Sequence, residues 1–111
     1  MTIQYKNAVF DLTTTNLTTV LTISVSAVAV VKTVQAVHDT ASAVDTDLFL
    51  KKSGGSNVII GHEDLNKETV NMLKNTLNLE AGDTIKMQAG TANEITGAVS
   101  YALIDRSQQN G

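Results

Sequence analysis

Cysteine, proline and tryptophan are all absent from this chain of 111 residues. The absence of cysteine excludes disulfides, thiolate metal ligands and a cysteine nucleophile. The absence of proline leaves the turns to glycine, asparagine, aspartate and serine. Aromatic residues make up only 4% of the chain, so its core must be built from Val, Ile, Leu, Ala and Met. Such short side chains favour a thin sandwich of sheets over a deep aromatic-lined pocket.

Positive charge is scarce as well. The chain has eight Lys and Arg against eleven Asp and Glu, a net charge of −3, and its single arginine is Arg106. Only Lys51 and Lys52 are adjacent in the sequence. Because binding to phosphates requires clustered Lys and Arg, this composition argues against a nucleic-acid partner.

The most apolar window, Val20 to Val37, is about long enough to span a membrane. Lys32 and Gln35 interrupt it, however, and ten of its eighteen residues are β-branched, which favours strands. Its alanines leave a helix as the alternative. We expect two buried strands in a soluble protein without a membrane partner. The length predicts a single β-sandwich domain over residues 1–106 and a flexible tail over residues 107–111.

The clearest fold signal lies near the C-terminus, from Leu77 to Ile104. Apolar residues alternate with polar ones in three runs, Leu77 to Leu79, Ile85 to Ala89 and Val99 to Leu103, with polar, Gly-containing segments between them. A period of two with one apolar face is typical of a half-buried antiparallel sheet.

The first two-thirds of the chain alternate less regularly. Two apolar sets overlap in the first strand, one at Ile3 to Val9 and the other at Ala8 to Leu12, which predicts a bulge near Asn7. Lys52 to Asn57, with its Gly54-Gly55 pair, is the clearest hairpin signal. The other strands predicted in this part are the second (17–24), third (28–37), fourth (44–51) and a short fifth (58–60).

Residues 61–78 are ambiguous between helix and strand. Leu65, Met72 and Leu73 fall at helical spacing, and Asp64 could cap such a helix. The surrounding strand pattern favours a strand over residues 68–73 instead. The total of about eight short, evenly spaced strands predicts an all-β fold, an antiparallel β-sandwich resembling a jelly roll.

Histidine lies next to carboxylates at two places, His38-Asp39 and His62-Glu63-Asp64. Hydrolytic catalysis would require a positioned nucleophile, and Ser and Thr are too common to single one out. A metal site from both histidines would require their loops to converge, and no i,i+2 or i,i+4 histidine pair supports one. We therefore interpret both histidines as solvated turn residues.

Three further patterns are weak signals for chemistry. Asp45-x-Asp47 resembles the start of a calcium loop but lacks the glycine and the closing glutamate, so we expect both carboxylates on an exposed strand face. The Gly54-Gly55 pair is not followed by a helix with Lys-Ser or Lys-Thr, which a phosphate loop requires. Glu80 and Asp83 are interpreted as residues of a hairpin turn. We predict no enzyme, no cofactor and no catalytic or metal site.

Several strands lack a clean polar face, and only 17% of the residues are charged. Two explanations are open. Either one sheet face is covered by another subunit, or Thr and Ala simply occupy the outer face of a monomer.

Five segments and the closing strand carry a resemblance to a known family. The segments are Tyr5–Ala8, Leu17–Thr22, Ala29–Val37, Asp45–Leu50 and Leu77–Met87. With them the chain resembles small virion structural proteins of tailed bacteriophages, particularly those of marine cyanobacterial phages. The resemblance implies a β-sandwich used for capsid decoration or as a tail accessory part.

The resemblance further implies a location in the virion after assembly in the host cytoplasm. Its implied partners are the major capsid protein or other virion proteins, and its implied state is a homo-oligomer, with a trimer favoured. A tail or baseplate accessory protein is the alternative within this class. A carbohydrate-binding module is the alternative outside it, and would need an exposed aromatic platform built from Tyr5, Phe10, Phe49 or Tyr101.

Overall fold

Nine strands make up the regular structure in the computed structural model, which describes residues 2–40 and 42–105. The strands are β1 (Thr2–Leu12), β2 (Thr18–Thr22), β3 (Ala27–His38), β4 (Val44–Lys51), β5 (Asn57–Leu65), β6 (Thr69–Asn71), β7 (Leu77–Leu79), β8 (Thr84–Ala89) and β9 (Ile95–Asp105). They form two antiparallel sheets, and no helix occurs in the described ranges. The all-β sandwich predicted from the sequence is therefore confirmed.

The strand order is that of a jelly roll. Sheet A has the order β1-β9-β3, with β6 and β7 both pairing with β3, and sheet B has the order β2-β8-β4-β5. Because β6 pairs with the C-terminal half of β3 and β7 with its N-terminal half, the two occupy one strand position in two pieces. The nine strands thus fill eight positions, four in each sheet, as in the two Greek keys of a jelly roll.

The inner faces of the two sheets enclose one apolar core. Its fully buried members are mostly aliphatic and include Val34 from β3, Leu48 from β4 and Ile85 from β8. Phe10 and Tyr101 are its aromatic members. Burying an aliphatic side chain of this size contributes about 1.5–3 kcal/mol. The two sheets are therefore held together by a core of short aliphatic side chains, as expected from the composition.

The bulge predicted near Asn7 is wrong. β1 pairs with β9 over its full length without a register shift. Both apolar sets fit one regular strand because they point to opposite sides: Phe10 and Leu12 point into the core, whereas Tyr5 and Val9 point outwards. The register shifts lie elsewhere, in β2 between Thr19 and Leu21, in β3 between Val31 and Thr33, and in the β4–β5 pair at Leu48 and Phe49.

The hairpin over residues 52–57 is present, and Gly54 adopts the left-handed φ of 76° that its turn requires. The fifth strand is longer than predicted, because it runs from Asn57 to Leu65 instead of stopping at Ile60. Gly61 is a closely packed strand position, not a break. A Cβ atom there would lie 2.8 Å from the Met72 carbonyl oxygen.

The ambiguous segment contains the short strands β6 and β7 in place of a helix, which agrees with the strand predicted over residues 68–73. Asn71 explains why β6 ends where it does. Its Oδ1 accepts hydrogen bonds from the backbone N–H groups of Val34 (3.0 Å) and Leu73 (3.1 Å), so a side chain replaces the next ladder bond. Met72 and Leu73 then turn into the core.

The predicted tail at residues 107–111 lies outside the described residues. Across residues 2–40 and 42–105, the structure contains no helix with the length and hydropathy needed to cross a membrane.

Candidate assembly face and acidic cluster

The outer surface of sheet A, here called the sheet A face, combines apolar rows with polar ones. The polar row of Asn7, Ser100 and Thr33 lies between the apolar rows near the N-terminus of β1 and Val9. Because side chains alternate along a strand, residues paired across β1, β9 and β3 form rows on one side. One row joins Ile3, Ile104 and Val28, and the next joins Tyr5, Ala102 and Val30. Farther along, Val9 lies beside Ala98 on the same side.

The strand at the edge of this face carries its most exposed apolar side chains. Ile3 is 56% exposed, Tyr5 79% and Val9 80%. By strand alternation, only Asp11 and Lys32 add charge to the face within the described residues. Lys32 lies at the register shift of β3, and its Nζ is 5.4 Å from the centre of the Tyr5 ring, a cation–π contact. Side chains of the kind usually found in a protein core therefore face outwards along the edge strand of this face.

The outer surface of sheet B, here called the sheet B face, is charged. The β4–β5 register places Asp45 opposite Asp64 and Asp47 opposite His62. We call these four residues the acidic cluster. His62 Nδ1 lies 2.6 Å from Asp47 Oδ1 and 3.1 Å from Asp45 Oδ1, and its Nε2 lies 3.9 Å from Asp64 Oδ1. A protonated imidazole is thus the natural counter-ion of this cluster.

The acidic cluster raises the pKa of His62. The largest cause is the hydrogen bond to Asp47, and the charges of Asp45, Asp47 and Asp64 act in the same direction against a smaller opposing effect of desolvation. Asp45, His62 and Asp64 each offer a ligand atom, and these atoms lie within 4.8 Å of one another, with all three side chains exposed. Oxygen and imidazole ligands at this spacing can hold a divalent ion in place of the proton.

A groove of 210 Å³ adjoins the acidic cluster. Its lining residues are Thr15, Asp45, Asp47, Gln88, Ala89 and Gly90. The Gln88 amide donates to the Thr15 carbonyl oxygen at 3.0 Å, which fixes the loop at its rim. Pockets for small ligands are typically about 300–1,000 Å³, so this groove is smaller than a usual substrate site.

His38 is buried, and its interpretation as a solvated turn residue is wrong. It is the last residue of β3 and only 1% exposed. Its ring nitrogens face the carbonyl oxygens of Ser42 and, at 3.3 Å, of Glu94, and the Thr40 hydroxyl lies beside the ring. These contacts join the loop after β3 to the loop before β9, which is a structural role. His62, 54% exposed, is instead on a strand.

Asp83 is also more than a turn residue. It is 1% exposed, and its carboxylate accepts hydrogen bonds from the backbone N–H of Glu80 (2.8 Å), the backbone N–H of Ser53 (3.2 Å) and Lys52 Nζ (2.6 Å). Burial would raise the pKa of Asp83, but the hydrogen bonds from Lys52 and the two N–H groups outweigh it and lower the pKa. Asp83 therefore joins the β7–β8 turn to the β4–β5 hairpin.

The aromatic residues do not form one platform. Phe10 and Tyr101 lie in the core, so they cannot stack on a sugar ring. Tyr5 is exposed on the sheet A face, and the partly exposed Phe49 points outwards from sheet B beside Ile59. Of the four candidates, Tyr5 is the one that offers a largely open ring.

Every member of the acidic cluster is recognisable in the sequence as a candidate residue, but their proximity is not. Asp45 and Asp47 are on the exposed face expected for them. A hairpin counted back from the Lys51–Asn57 pair without a shift would place Gly61 opposite Asp47. The register shift at Ile60 moves His62 into that position. No local pattern in the sequence marks this extra residue.

No protein-family model and no curated protein matches the chain. Among solved structures, it is similar to a protein of Bacillus endospore appendages, described as disulfide-linked pili, at 18% identity and a TM-score of 0.48, over 92% of this chain and 86% of the other. A pentameric capsid protein isolated from metagenomic phage sequences is 16% identical, with a TM-score of 0.48 over 96% of this chain and 63% of its own.

A third similar structure is that of infectious bursal disease virus, Gx strain, at 5% identity and a TM-score of 0.42, over 96% of this chain and 34% of the viral protein. With all three TM-scores below 0.5, these likenesses decide nothing about this chain. Its fold is established by its own strand pairing.

Proposed function

We propose that this chain is a non-enzymatic structural protein of a bacteriophage virion that binds the outer surface of the assembled head through its sheet A face. The observation that carries the proposal is the contrast between the two outer faces. Sheet A presents two rows of Ile, Val, Ala and Tyr together with the exposed Val9, next to rows of uncharged polar residues, whereas sheet B presents the acidic cluster. Contiguous exposed apolar surface marks a surface that another protein covers.

The apolar side chains at the edge of sheet A would gain the most from being covered. Removing apolar surface from water contributes about 25 cal/mol per Å². Tyr5 and Val9 are about four-fifths exposed, so nearly all of that gain is still available to a partner. The charged sheet B face would then point to solvent and keep the particle surface hydrated.

The jelly-roll strand order agrees with this class of protein. Jelly rolls serve as viral capsid domains, and also as lectin domains and cupins. This is an analogy at the level of the fold, which supports several functions. It agrees with the virion resemblance carried by the sequence, while the small groove on sheet B gives no support to a small-molecule enzyme.

Binding to capsids tests the proposal with a matched pair of variants. Ile3 on the sheet A face and Ile59 on the sheet B face are both isoleucines on edge strands, 56% and 58% exposed. Capsids of the encoding virus, assembled without this chain, are mixed with purified protein and sedimented. We expect Ile3→Thr to bind at least tenfold more weakly than the unaltered chain, and Ile59→Thr to bind as the unaltered chain does.

Two results would contradict the proposal. One is absence of the chain from purified virions by mass spectrometry together with no binding to the capsids. The other is loss of capsid binding in Ile59→Thr but not in Ile3→Thr, which would place the contact on sheet B. A location on the tail or baseplate is the alternative within the class, and electron microscopy of particles carrying labelled chain separates it from the head.

The open ring of Tyr5 favours carbohydrate binding as a second candidate. Sugar rings stack on exposed aromatic side chains, and Tyr5 is the aromatic residue that provides such a surface here. A glycan array probes this directly. Specific binding that Tyr5→Ala abolishes and Tyr5→Phe retains would support a carbohydrate-binding module over a capsid protein.

The proposal includes a homo-oligomer. The resemblance predicts a trimer, in which each subunit would contact the next through two different surfaces. Light scattering of the purified chain measures the number of copies, and a monomer at all accessible concentrations would contradict this part of the proposal.

A further inference from the structure

The outer edge of β1 is suited to pair with a second copy of itself. We propose that two chains associate through antiparallel pairing of β1 with β1 of the second copy, about a two-fold axis that passes between the two Asn7 residues. The pairing deepens the proposed function by naming a partner and a contact. Only its biological role, the binding of a dimer to the capsid, rests on the proposed function.

β1 differs from the other strands that border the two sheets. Natural proteins protect exposed edges with short strands, bulges, prolines or inward-pointing charges. In the described residues, β6 and β7 have three residues each, and both β2 and β5 contain a register shift. β1 has eleven residues in unbroken register with β9, and in the described residues no strand pairs with its other edge. Its charges are Lys6, on the core side of the strand, and Asp11, on the outer side, so its length and regularity are what set it apart.

Only some registers are possible for a symmetric pair. Residues that face each other across a two-fold antiparallel pair have the same side-chain direction, so outward residues meet outward residues. With Asn7 on the axis, Tyr5 of each chain lies opposite Val9 of the other. Both residues are about 80% exposed in the single chain. Aromatic and β-branched residues directly opposite each other contribute roughly 0.2–1 kcal/mol per pair.

Charge and apolar pairing each exclude one neighbouring register. With Asn7 on the axis, each Lys6 lies opposite Ala8 of the other chain. Moving the axis by one residue to Lys6 would place the two lysines directly opposite each other, which is destabilising. Moving it to Ala8 would place Tyr5 opposite Asp11 and Val9 opposite Asn7, so the apolar pairs would be lost. The Asn7 register keeps like charges apart and forms two Tyr5–Val9 pairs, although it also places Ile3 opposite Asp11.

The pairing has a consequence for the shape of the assembly. A two-fold axis perpendicular to the sheet joins the two A sheets into one and places both sheet A faces on the same side. The dimer would therefore present the apolar rows of both sheet A faces to the capsid on the same side. Since a two-fold contact closes on itself, it gives a dimer in place of the trimer that the resemblance implies.

Cysteine cross-linking tests the register in the full chain, which has no cysteine of its own. Directly opposed residues have Cα atoms about 4.5–5.5 Å apart, within the range of about 4.4–6.8 Å that a disulfide spans. We expect Asn7→Cys to form a covalent dimer under mild oxidation at least tenfold faster than Tyr5→Cys or Val9→Cys alone. An equimolar mixture of Tyr5→Cys and Val9→Cys should cross-link as readily as Asn7→Cys.

Ser100→Cys serves as the control for a different contact. Ser100 pairs with Asn7 on β9, so its side chain lies on the same face but one strand away from the edge. Faster cross-linking of Ser100→Cys than of Asn7→Cys would mean that sheet A faces stack on each other, and would overturn the edge pairing. Absence of cross-linking in Asn7→Cys, with its β-sheet circular dichroism intact, would overturn it as well. Capsid sedimentation tests the proposed function separately, because it can succeed or fail with either result.

Discussion

At the scale of single residues, Gly97 is the most crowded glycine of the described residues. A Cβ atom built on it would lie 1.9 Å from the Gln35 carbonyl oxygen and 2.5 Å from Cζ of Phe10. The sheet passes under the Phe10 ring here, and any side chain would push the ring or the neighbouring strand away. No local pattern reveals the role of Gly97, because the residues that crowd it are about sixty or more positions away in the sequence.

We expect Gly97→Ala to lower the free energy of unfolding by about 3 kcal/mol, the range of overpacking in a closed core. The matched control is Gly90→Ala, whose Cβ would meet nothing nearer than 3.6 Å, and it should be nearly neutral. Urea unfolding at equilibrium measures both. Equal stability of the two variants would contradict the packing described around Phe10.

Asp83 should contribute to stability through its buried hydrogen bonds. Asp83→Ala leaves the backbone N–H groups of Glu80 and Ser53 without their acceptor, and we expect a loss of about 2–3 kcal/mol. Glu80→Gln is the control. Glu80 binds the same Lys52, but its side chain is 77% exposed. Glu80→Gln should therefore alter the free energy of unfolding by no more than about 0.5 kcal/mol.

The pH dependence of this contribution has a definite sign. Because the folded-state pKa of Asp83 is lower than its unfolded value, the contribution is present above the unfolded value of about 3.9. It is lost as the pH falls through the folded-state pKa. Unfolding measured between neutral pH and pH 2 should therefore show a steeper acid destabilisation in the unaltered chain than in Asp83→Asn. If the free energy of unfolding falls equally with pH in both proteins, the lowered pKa of Asp83 is contradicted.

His62 should behave in the opposite way. Its folded-state pKa is raised by Asp47 and the other carboxylates of the acidic cluster. Its stabilising effect is thus complete below the unfolded value of about 6.5 and disappears as the pH rises through the folded-state value. NMR titration of the His62 imidazole should give a pKa above that of the same ring in Asp47→Asn. An unchanged value would mean that the 2.6 Å contact does not persist in solution.

At the scale of elements, the period-two alternation identified most strands and the sides they present. The alternation gives the wrong prediction where a residue adopts a structure that its residue type does not indicate. Gly61 resembles a turn residue but is a strand position with a close neighbour, and Ile60 introduces a register shift without any mark in the sequence. Burial of His38 was equally hidden, because its contact Glu94 lies far along the chain.

The outward and inward directions of side chains in sheet A can be tested by making the same Val→Thr substitution at two positions. Val9 is 80% exposed and Val34 is fully buried, and both belong to sheet A. We expect Val9→Thr to change the free energy of unfolding of the monomer by less than about 0.5 kcal/mol. Val34→Thr buries a hydroxyl group without a hydrogen-bond partner and should lower the free energy of unfolding by about 2 kcal/mol. Denaturant unfolding at low protein concentration compares them, and similar losses would show that Val9 is covered within the single chain.

At the scale of the whole molecule, the class of fold could be predicted from the sequence but its strand order could not. The number, length and spacing of the alternating runs are local properties. The jelly-roll order depends on pairs such as β1 with β9, which join the two ends of the chain and leave no local signal. This order also places the outward sides of β1, β9 and β3 next to each other.

The central claim is that the sheet A face is the side that binds the particle. A cryo-electron-microscopy map of the intact virion, at a resolution that traces the strands, tests it most directly. We expect density for this chain on the head, with Tyr5 and Val9 covered by protein and the acidic cluster facing solvent. A map in which the sheet A face is open to solvent, or in which the head carries no such chain, would contradict the account.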